Sequence, residues 1–149
     1  MYDGGEIVIV NNIIFKNRFA DHASLTGRPC IVLSDYNDKM TLIPLTSRKP
    51  RDNESKNCVI TIKNTDIESE RLGFKSKQTE YSNVSSMFQK TLRHYEVVAY
   101  VKLKRYFELL NEIERMRLEN NSLCSEYYKD IYQDLEYQRN SLELILEKK

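Results

Sequence analysis

The sequence has little glycine or proline, and neither occurs in its second half. The 149 residues include four glycines and three prolines, and none of them lies beyond Gly73. Glycine and proline are the strongest local signals for turns, and both interrupt helices. The first half is therefore expected to turn often, whereas the second half is expected to form long helices.

Cysteine is scarce as well, and its spacing excludes the usual zinc sites. Cys30, Cys58 and Cys124 are far apart and form no Cys-x-x-Cys or Cys/His pattern. Three isolated cysteines are typical of a reduced protein. We therefore expect a cytoplasmic location, with no metal and no other cofactor.

Long apolar runs are also missing. No stretch approaches the roughly 20 apolar residues that a membrane-spanning helix needs. The N-terminal segment lacks the positive charge with which a signal peptide begins. We therefore expect neither export nor a membrane partner.

Charge is balanced overall but unevenly distributed along the chain. The net charge of +1 excludes a basic field over the whole molecule. Residues 1–46 hold 4 basic and 5 acidic side chains, residues 47–105 hold 13 and 7, and residues 106–149 hold 6 and 10. The middle stretch is the one suited to a polyanion, and the acidic C-terminal stretch is its electrostatic complement.

The apolar residues of the first two thirds come in short β-branched groups, which predict the strands of a small barrel. A turn-forming segment at residues 35–39 predicts a hairpin between two of these strands. A capping pattern at residues 65–68 predicts one short helix, and residues 50–84 outside this helix and the strand at 59–62 are predicted as loop. The predicted strands are residues 7–10, 30–33, 40–45, 59–62 and 97–101.

From residue 104 onward, apolar residues recur at intervals of three, four and seven, which predicts amphipathic helices. Residues 120–122 offer a break and an N-cap between two helices. We predict a barrel domain over residues 1–113 and a helical extension over residues 114–149. The extension either packs against its own barrel, the preceding helix or a second copy, or lies over the functional site as an inhibitor.

Three stretches, residues 5–10, 26–34 and 42–47, together resemble the MazF/PemK family of type II toxin–antitoxin endoribonucleases. They are similar to the family's opening Gly-Asp/Glu-Ile-Val strand, its Arg-Pro-hydrophobic-Val-Leu-Ser strand and its Pro-hydrophobic-Thr-Ser/Thr strand end. The resemblance implies an α+β fold with an SH3-like barrel that forms a homodimer. It also implies metal-independent cleavage of single-stranded RNA by attack of a 2′-hydroxyl, and a cognate antitoxin as protein partner.

The resemblance assigns catalysis to Arg28 and Thr46, and residue chemistry adds His22. The Arg28 guanidinium matches phosphate oxygens bidentately and would hold the charge of the transition state. The Thr46 hydroxyl would donate to the phosphorane or orient the 2′-oxygen. His22, in a predicted loop where the family often has Ser or Glu, titrates near neutral pH and suits proton transfer. The alternatives are that Arg28 caps a turn, Thr46 satisfies its own backbone and His22 is simply solvated.

Substrate binding is predicted for a polar and basic set of side chains, namely Ser47, Arg48, Lys49, Arg51 and Lys90. Tyr81 and Phe88 are candidates either for stacking on RNA bases or for the core.

Two other functions stay open, because a fold does not fix a function. One is a catalytically silent MazF-like module that binds RNA or protein, and the other is a structural protein with the barrel as a dimerisation platform.

Overall fold

The computed structural model describes residues 4–11, 13–17, 20–24, 27–36, 38–48, 58–70, 74, 79–91, 95–119 and 125–148. For residues 13–17, 20–24 and 125 it describes the backbone alone. Within these ranges the fold is α+β, as predicted, and its strands pair antiparallel. The strands are β1 (Glu6–Val10), β2 (Ile13–Asn17), β3 (Ala20–Ser24), β4 (Arg28–Tyr36), β5 (Lys39–Pro44), β6 (Val59–Ile62), β7 (Ile67–Glu68), β8 (Glu80–Asn83), β9 (Phe88–Lys90) and β10 (Val97–Val101), and the helices are α1 (Leu103–Glu119) and α2 (Ser125–Glu147).

Six strands form one sheet in the order β7-β10-β1-β4-β5-β9, and the pairs β2–β3 and β6–β8 form two separate two-stranded sheets. In the described residues this sheet is open, so the prediction of a closed barrel is not met. The reason lies beside β5, where β9 pairs with residues 40–42 and β8 reaches only Thr46. The 3-10 helix Val84–Ser86 separates β8 from β9 and interrupts the ladder.

The five predicted strands and the hairpin are confirmed, but the predicted short helix is wrong. Asn64–Asp66 forms a 3-10 helix, and the backbone N–H of Lys63 donates to Asp66 Oδ2 at 2.9 Å. The chain then extends at Ile67–Glu68, which pairs with β10. The capping carboxylate is therefore Asp66, and pairing with a neighbouring strand prevents the helix from continuing.

The central strands bury both of their faces, which explains their continuous apolar runs. In β1 and β4, Ile7 pairs with Ile31 on one face, and Val8 pairs with Cys30 on the other. The first pair belongs to the main core, a cluster that also includes buried residues of both helices. The second pair belongs to a smaller cluster, the second core: Val8, Val10, Cys30, Val32, Met40 and Leu42, with Phe88 and Val97 packed against it.

Both helices pack on the main-core side of the sheet. The predicted break between them is confirmed, since α1 ends at Glu119 and α2 begins at Ser125. Helix α1 runs through the predicted domain boundary at residue 113, and the division into two domains stays a prediction. No helix among the described residues is long and apolar enough to cross a membrane. The helical residues of the main core are Tyr106, Leu109, Leu110, Ile113 and Met116 of α1, and Tyr128, Ile131, Leu135 and Leu142 of α2.

A buried polar contact joins α2 to the sheet. The Gln138 amide nitrogen donates to the carbonyl of Leu33 at 2.8 Å. The Tyr106 hydroxyl donates to the Gln138 amide oxygen at 2.7 Å. Tyr106 is fully buried and Gln138 is 4% exposed, so these hydrogen bonds satisfy polar atoms that lie away from water. The extension is therefore fixed to its own sheet. We call this alternative, in which the extension packs and does not cover the site, the packing interpretation.

Gly4 and Gly5 cross directly over the Tyr106 ring in the left-handed backbone region, with φ of 70° and 81°. The Gly5 N–H donates to the carbonyl of Val32 at 3.0 Å, and Gly5 O accepts from the N–H of Val101 at 2.9 Å. A Cβ on Gly4 would lie 2.2 Å from the Tyr106 hydroxyl and 2.3 Å from Gln138 Oε1. The start of β1 therefore needs glycine for both its conformation and its space.

Gly4→Ala is expected to lower the free energy of unfolding by about 2–4 kcal/mol, from left-handed strain together with overpacking. Urea unfolding followed by circular dichroism measures the change. Ser69→Ala is the control, because Ser69 also has a left-handed φ of 57° but is exposed. The control is expected to change stability by less than about 0.5 kcal/mol. Equal effects of the two substitutions would contradict the assigned role of Gly4.

Candidate active site

The two catalytic residues predicted from the resemblance lie at the ends of paired strands, since Arg28 begins β4 and Thr46 comes two residues after the end of β5. Strands β4 and β5 pair in the register Cys30 to Pro44, and the backbone N–H of Leu45 donates to the carbonyl of Pro29 at 2.9 Å. Extended by one residue beyond these observed contacts, the same register sets Arg28 opposite Thr46. Residues directly opposite each other in an antiparallel pair have Cβ atoms about 4.5–5.5 Å apart. From this register we infer that Arg28 and Thr46 lie side by side.

These two residues occupy the face of the sheet that points away from the helices. Residues two apart on a strand share a face, and Cys30 and Leu42 both belong to the second core. Arg28 is two residues from Cys30 and Thr46 is four residues from Leu42, so both share the face of the second core. Both are half-buried, so the second core ends at a pair of polar side chains that solvent reaches.

Thr46 has its hydroxyl held by a turn. Its Oγ1 accepts a hydrogen bond from the backbone N–H of Arg48 at 3.2 Å. The predicted alternative, that Thr46 satisfies its own backbone, is thus observed. This bond uses one acceptor position only, because a hydroxyl has one donor and two acceptor sites. The turn therefore fixes the oxygen and leaves its proton available for donation.

Strand β8 sets Tyr81, which the sequence makes a candidate for either base stacking or the core, beside Thr46. The N–H of Tyr81 donates to the carbonyl of Thr46 at 2.7 Å, and the N–H of Thr46 donates to the carbonyl of Tyr81 at 2.8 Å. Tyr81 pairs on its other side with Thr61 of β6. Val10 pairs with Arg28, and Tyr81 pairs with both Thr46 and Thr61, so the extended β4–β5 register gives a single row across the strands in the order Val10, Arg28, Thr46, Tyr81, Thr61.

Two cations, Arg28 and Lys90, act on the buried Cys30 thiol near this end of the sheet. Burial raises the pKa of the Cys30 thiol to about 12, and the charges of Arg28 and Lys90 act against that rise. Both cations therefore lie close enough to act on one buried sulfur atom. With such a pKa the thiol stays protonated at neutral pH, so Cys30 is a core residue and not a nucleophile.

Lys90 was predicted to bind substrate, and the structure gives it a defined partner. It lies in β9 opposite Met40 of the second core. Its Nζ donates to the carbonyl of Asn11 at 2.8 Å, directly after β1. An ammonium group has three donors, so this bond leaves two for an anion. Its role in substrate binding stays a prediction.

Gly27, immediately before Arg28, allows β1 to approach closely. A Cβ at this position would lie 2.5 Å from Ile9 Cγ2 and 2.9 Å from Asn11 Oδ1. A side chain at residue 27 would therefore push the end of β1 away from Arg28. This is a physical reason for the Gly-Arg-Pro order at the start of β4.

The remaining predicted residues are less well placed. His22 lies in β3, opposite Phe15 of β2, so its prediction as a loop residue is wrong. Pairing in a hairpin explains the difference, and the His22 side chain lies outside the described residues. Ser47 and Arg48 follow Thr46 directly and are exposed. Lys49 and Arg51 lie outside the described residues.

The chain matches no family model and no curated protein. The candidate site therefore depends on its own geometry and on the motifs at residues 5–10, 26–34 and 42–47. Among the described residues, no group of three His, Cys, Asp or Glu side chains is arranged to hold a metal ion. What the site offers is a guanidinium, a fixed hydroxyl and a second cation, a set of donors suited to a phosphate.

Proposed function

We propose that this protein is a MazF/PemK-type endoribonuclease toxin that cleaves single-stranded RNA by attack of a 2′-hydroxyl. The observation that supports the proposal is the pairing of β4 with β5, continued by the hydrogen bond from Leu45 to Pro29, from which we infer that Arg28 lies opposite Thr46 on the face away from the helices. An SH3-like family fold, a homodimer, a cognate antitoxin and a cytoplasmic location belong to the same proposal.

The reaction requires few groups. The 2′-oxygen forms a bond to phosphorus as its proton leaves, and the bond from phosphorus to the 5′-oxygen breaks as that oxygen gains a proton. The Arg28 guanidinium donates to the non-bridging oxygens, where negative charge accumulates. The Thr46 hydroxyl donates to the same phosphorane. For the proton transfers, His22 stays the candidate that the sequence predicts.

The products are a fragment ending in a 2′,3′-cyclic phosphate and a fragment beginning with a 5′-hydroxyl. We expect both when the protein is incubated with a single-stranded RNA of mixed sequence in excess EDTA, with mass spectrometry of the fragment ends. Complete loss of cleavage in EDTA, or fragments with a 5′-phosphate, would contradict the proposal. Binding of the RNA without cleavage would favour the silent RNA-binding module instead.

A further inference from the structure

Tyr81 is the aromatic residue of the cross-strand row that contains Arg28 and Thr46. Two backbone hydrogen bonds, at 2.7 and 2.8 Å, fix Tyr81 beside Thr46. Opposed residues of an antiparallel pair project to the same face. The Tyr81 ring therefore projects on the same side of the sheet as the Thr46 hydroxyl and the Arg28 guanidinium.

The surroundings of Tyr81 distinguish it from a core aromatic residue. Its neighbours along β8 and its partner strand, Ser82 and Ile60, point into the interior and are at most 1% exposed. Tyr81 itself is half-buried and belongs to neither the main core nor the second core. By contrast, Phe88 packs against the second core opposite Leu42. Of the two aromatic candidates, Tyr81 is the one that lies outside both cores and can contact a ligand.

The spacing also suits a nucleotide. Neighbouring strands lie about 4.8 Å apart, so Tyr81, two strands from Arg28, is about 10 Å away from it. A phosphate held at Arg28 therefore leaves room for its sugar and base to extend over Thr46 to the Tyr81 ring. Every base has a π-face, so such a platform accepts unpaired bases without a strong sequence preference.

We infer that Tyr81 is a base-stacking residue, on which an unpaired base next to the scissile phosphate of single-stranded RNA rests. The choice of RNA as ligand rests on the proposed function. Stacking positions the strand across Arg28 and Thr46, so the residue contributes to binding and to the alignment of the phosphate. A paired base has both its faces occupied in a duplex, so this platform selects single strands.

The test uses the full-length protein and a short single-stranded RNA of mixed sequence, 2′-O-methylated throughout and carrying 2-aminopurine. Methylation blocks the attacking hydroxyl, so binding is measured without cleavage. Stacking of 2-aminopurine on an aromatic ring quenches its fluorescence. Tyr81→Leu is expected to weaken binding about 5- to 150-fold, the range for loss of one base–aromatic stack, and to reduce quenching. Tyr81→Phe keeps the ring and is expected to bind and quench like the wild type.

Tyr36→Leu is the matched control, because Tyr36 is 65% exposed at the far end of β4 from Arg28. It is expected to bind like the wild type. Circular dichroism establishes that each variant is folded, and equal weakening by Tyr81→Phe and Tyr81→Leu would overturn stacking in favour of the hydroxyl. Wild-type affinity and quenching in Tyr81→Leu would also overturn the inference.

The failure of this inference and the failure of the proposed function are distinguishable. If the wild type binds the methylated RNA through Tyr81 but does not cleave unmodified RNA, stacking is supported and the nuclease proposal fails. If the wild type cleaves RNA and Tyr81→Leu cleaves and binds equally well, the nuclease stands and the stacking role fails. Absence of both binding and cleavage by the folded wild type overturns both.

Discussion

Arg28→Ala is expected to reduce the rate of RNA cleavage by about 10² or more, the scale for removing one preorganised donor from a developing negative charge. Arg28 is placed for this role because pairing with Val10 on one side and the β5 register on the other hold its backbone. The measurement is single-turnover cleavage of a mixed-sequence RNA in EDTA. Arg28→Lys is expected to recover part of the rate, since an ammonium keeps the charge but lacks the planar fork of donors.

The control for Arg28→Ala is Arg115→Ala, which removes an exposed arginine from α1 on the helical side of the sheet. This variant is expected to cleave at the wild-type rate. A folded Arg28→Ala protein within a few-fold of the wild type would rule out the assigned role. A contaminating nuclease would be revealed by equal cleavage in all preparations.

Deletion of residues 120–149 is expected to unfold the protein rather than to activate it. The deletion removes Tyr128, Ile131, Leu135 and Leu142 from the main core. At about 1.5–3 kcal/mol for each buried apolar side chain, the loss is about 6–12 kcal/mol. That range approaches the whole stability of an ordinary domain, about 5–15 kcal/mol. Far-ultraviolet circular dichroism and a urea titration of the shortened chain measure the outcome.

The full-length chain offers a matched pair for the same question. Leu135→Ala is expected to cost about 2–5 kcal/mol because Leu135 is 3% exposed. Leu144→Ala is expected to cost less than about 0.5 kcal/mol because Leu144, on the same helix, is 60% exposed. A shortened chain that stays folded and cleaves RNA faster would contradict the packing interpretation. It would support the alternative that the acidic extension covers the site.

The sequence predicted those elements whose side chains alone carry the signal. β-branched runs at residues 7–10 and 30–33 become β1 and part of β4, and the helical periodicity becomes α1 and α2. Strand β8 escaped prediction because Glu-Tyr-Ser-Asn has no alternation of apolar and polar residues. Its strand conformation comes from pairing with β6, which local sequence does not encode.

For the site, motif order predicted Arg28 and Thr46, whereas only tertiary pairing distinguishes Tyr81, beside Thr46, from Phe88, which packs against the second core. The bridge between Thr46 and Tyr81 joins segments separated by a long polar stretch, and no local periodicity sets such a register. The same limit affected His22, since its strand forms by pairing with β2. Gly27 was part of the matched motif, but its contact with Ile9 and Asn11 required coordinates.

The position of β1 has a consequence for the order in which the chain gains its fold during synthesis. β1 lies between β4 and β10, and the Leu33 carbonyl in β4 accepts from Gln138 of α2. Chains emerge from the ribosome N-terminus first, at about 5–20 residues per second. Residues 6–48 therefore spend several seconds without β10 and α2, which complete their surroundings. The main core, on the helical face of this sheet, is complete only after α2 has left the ribosome.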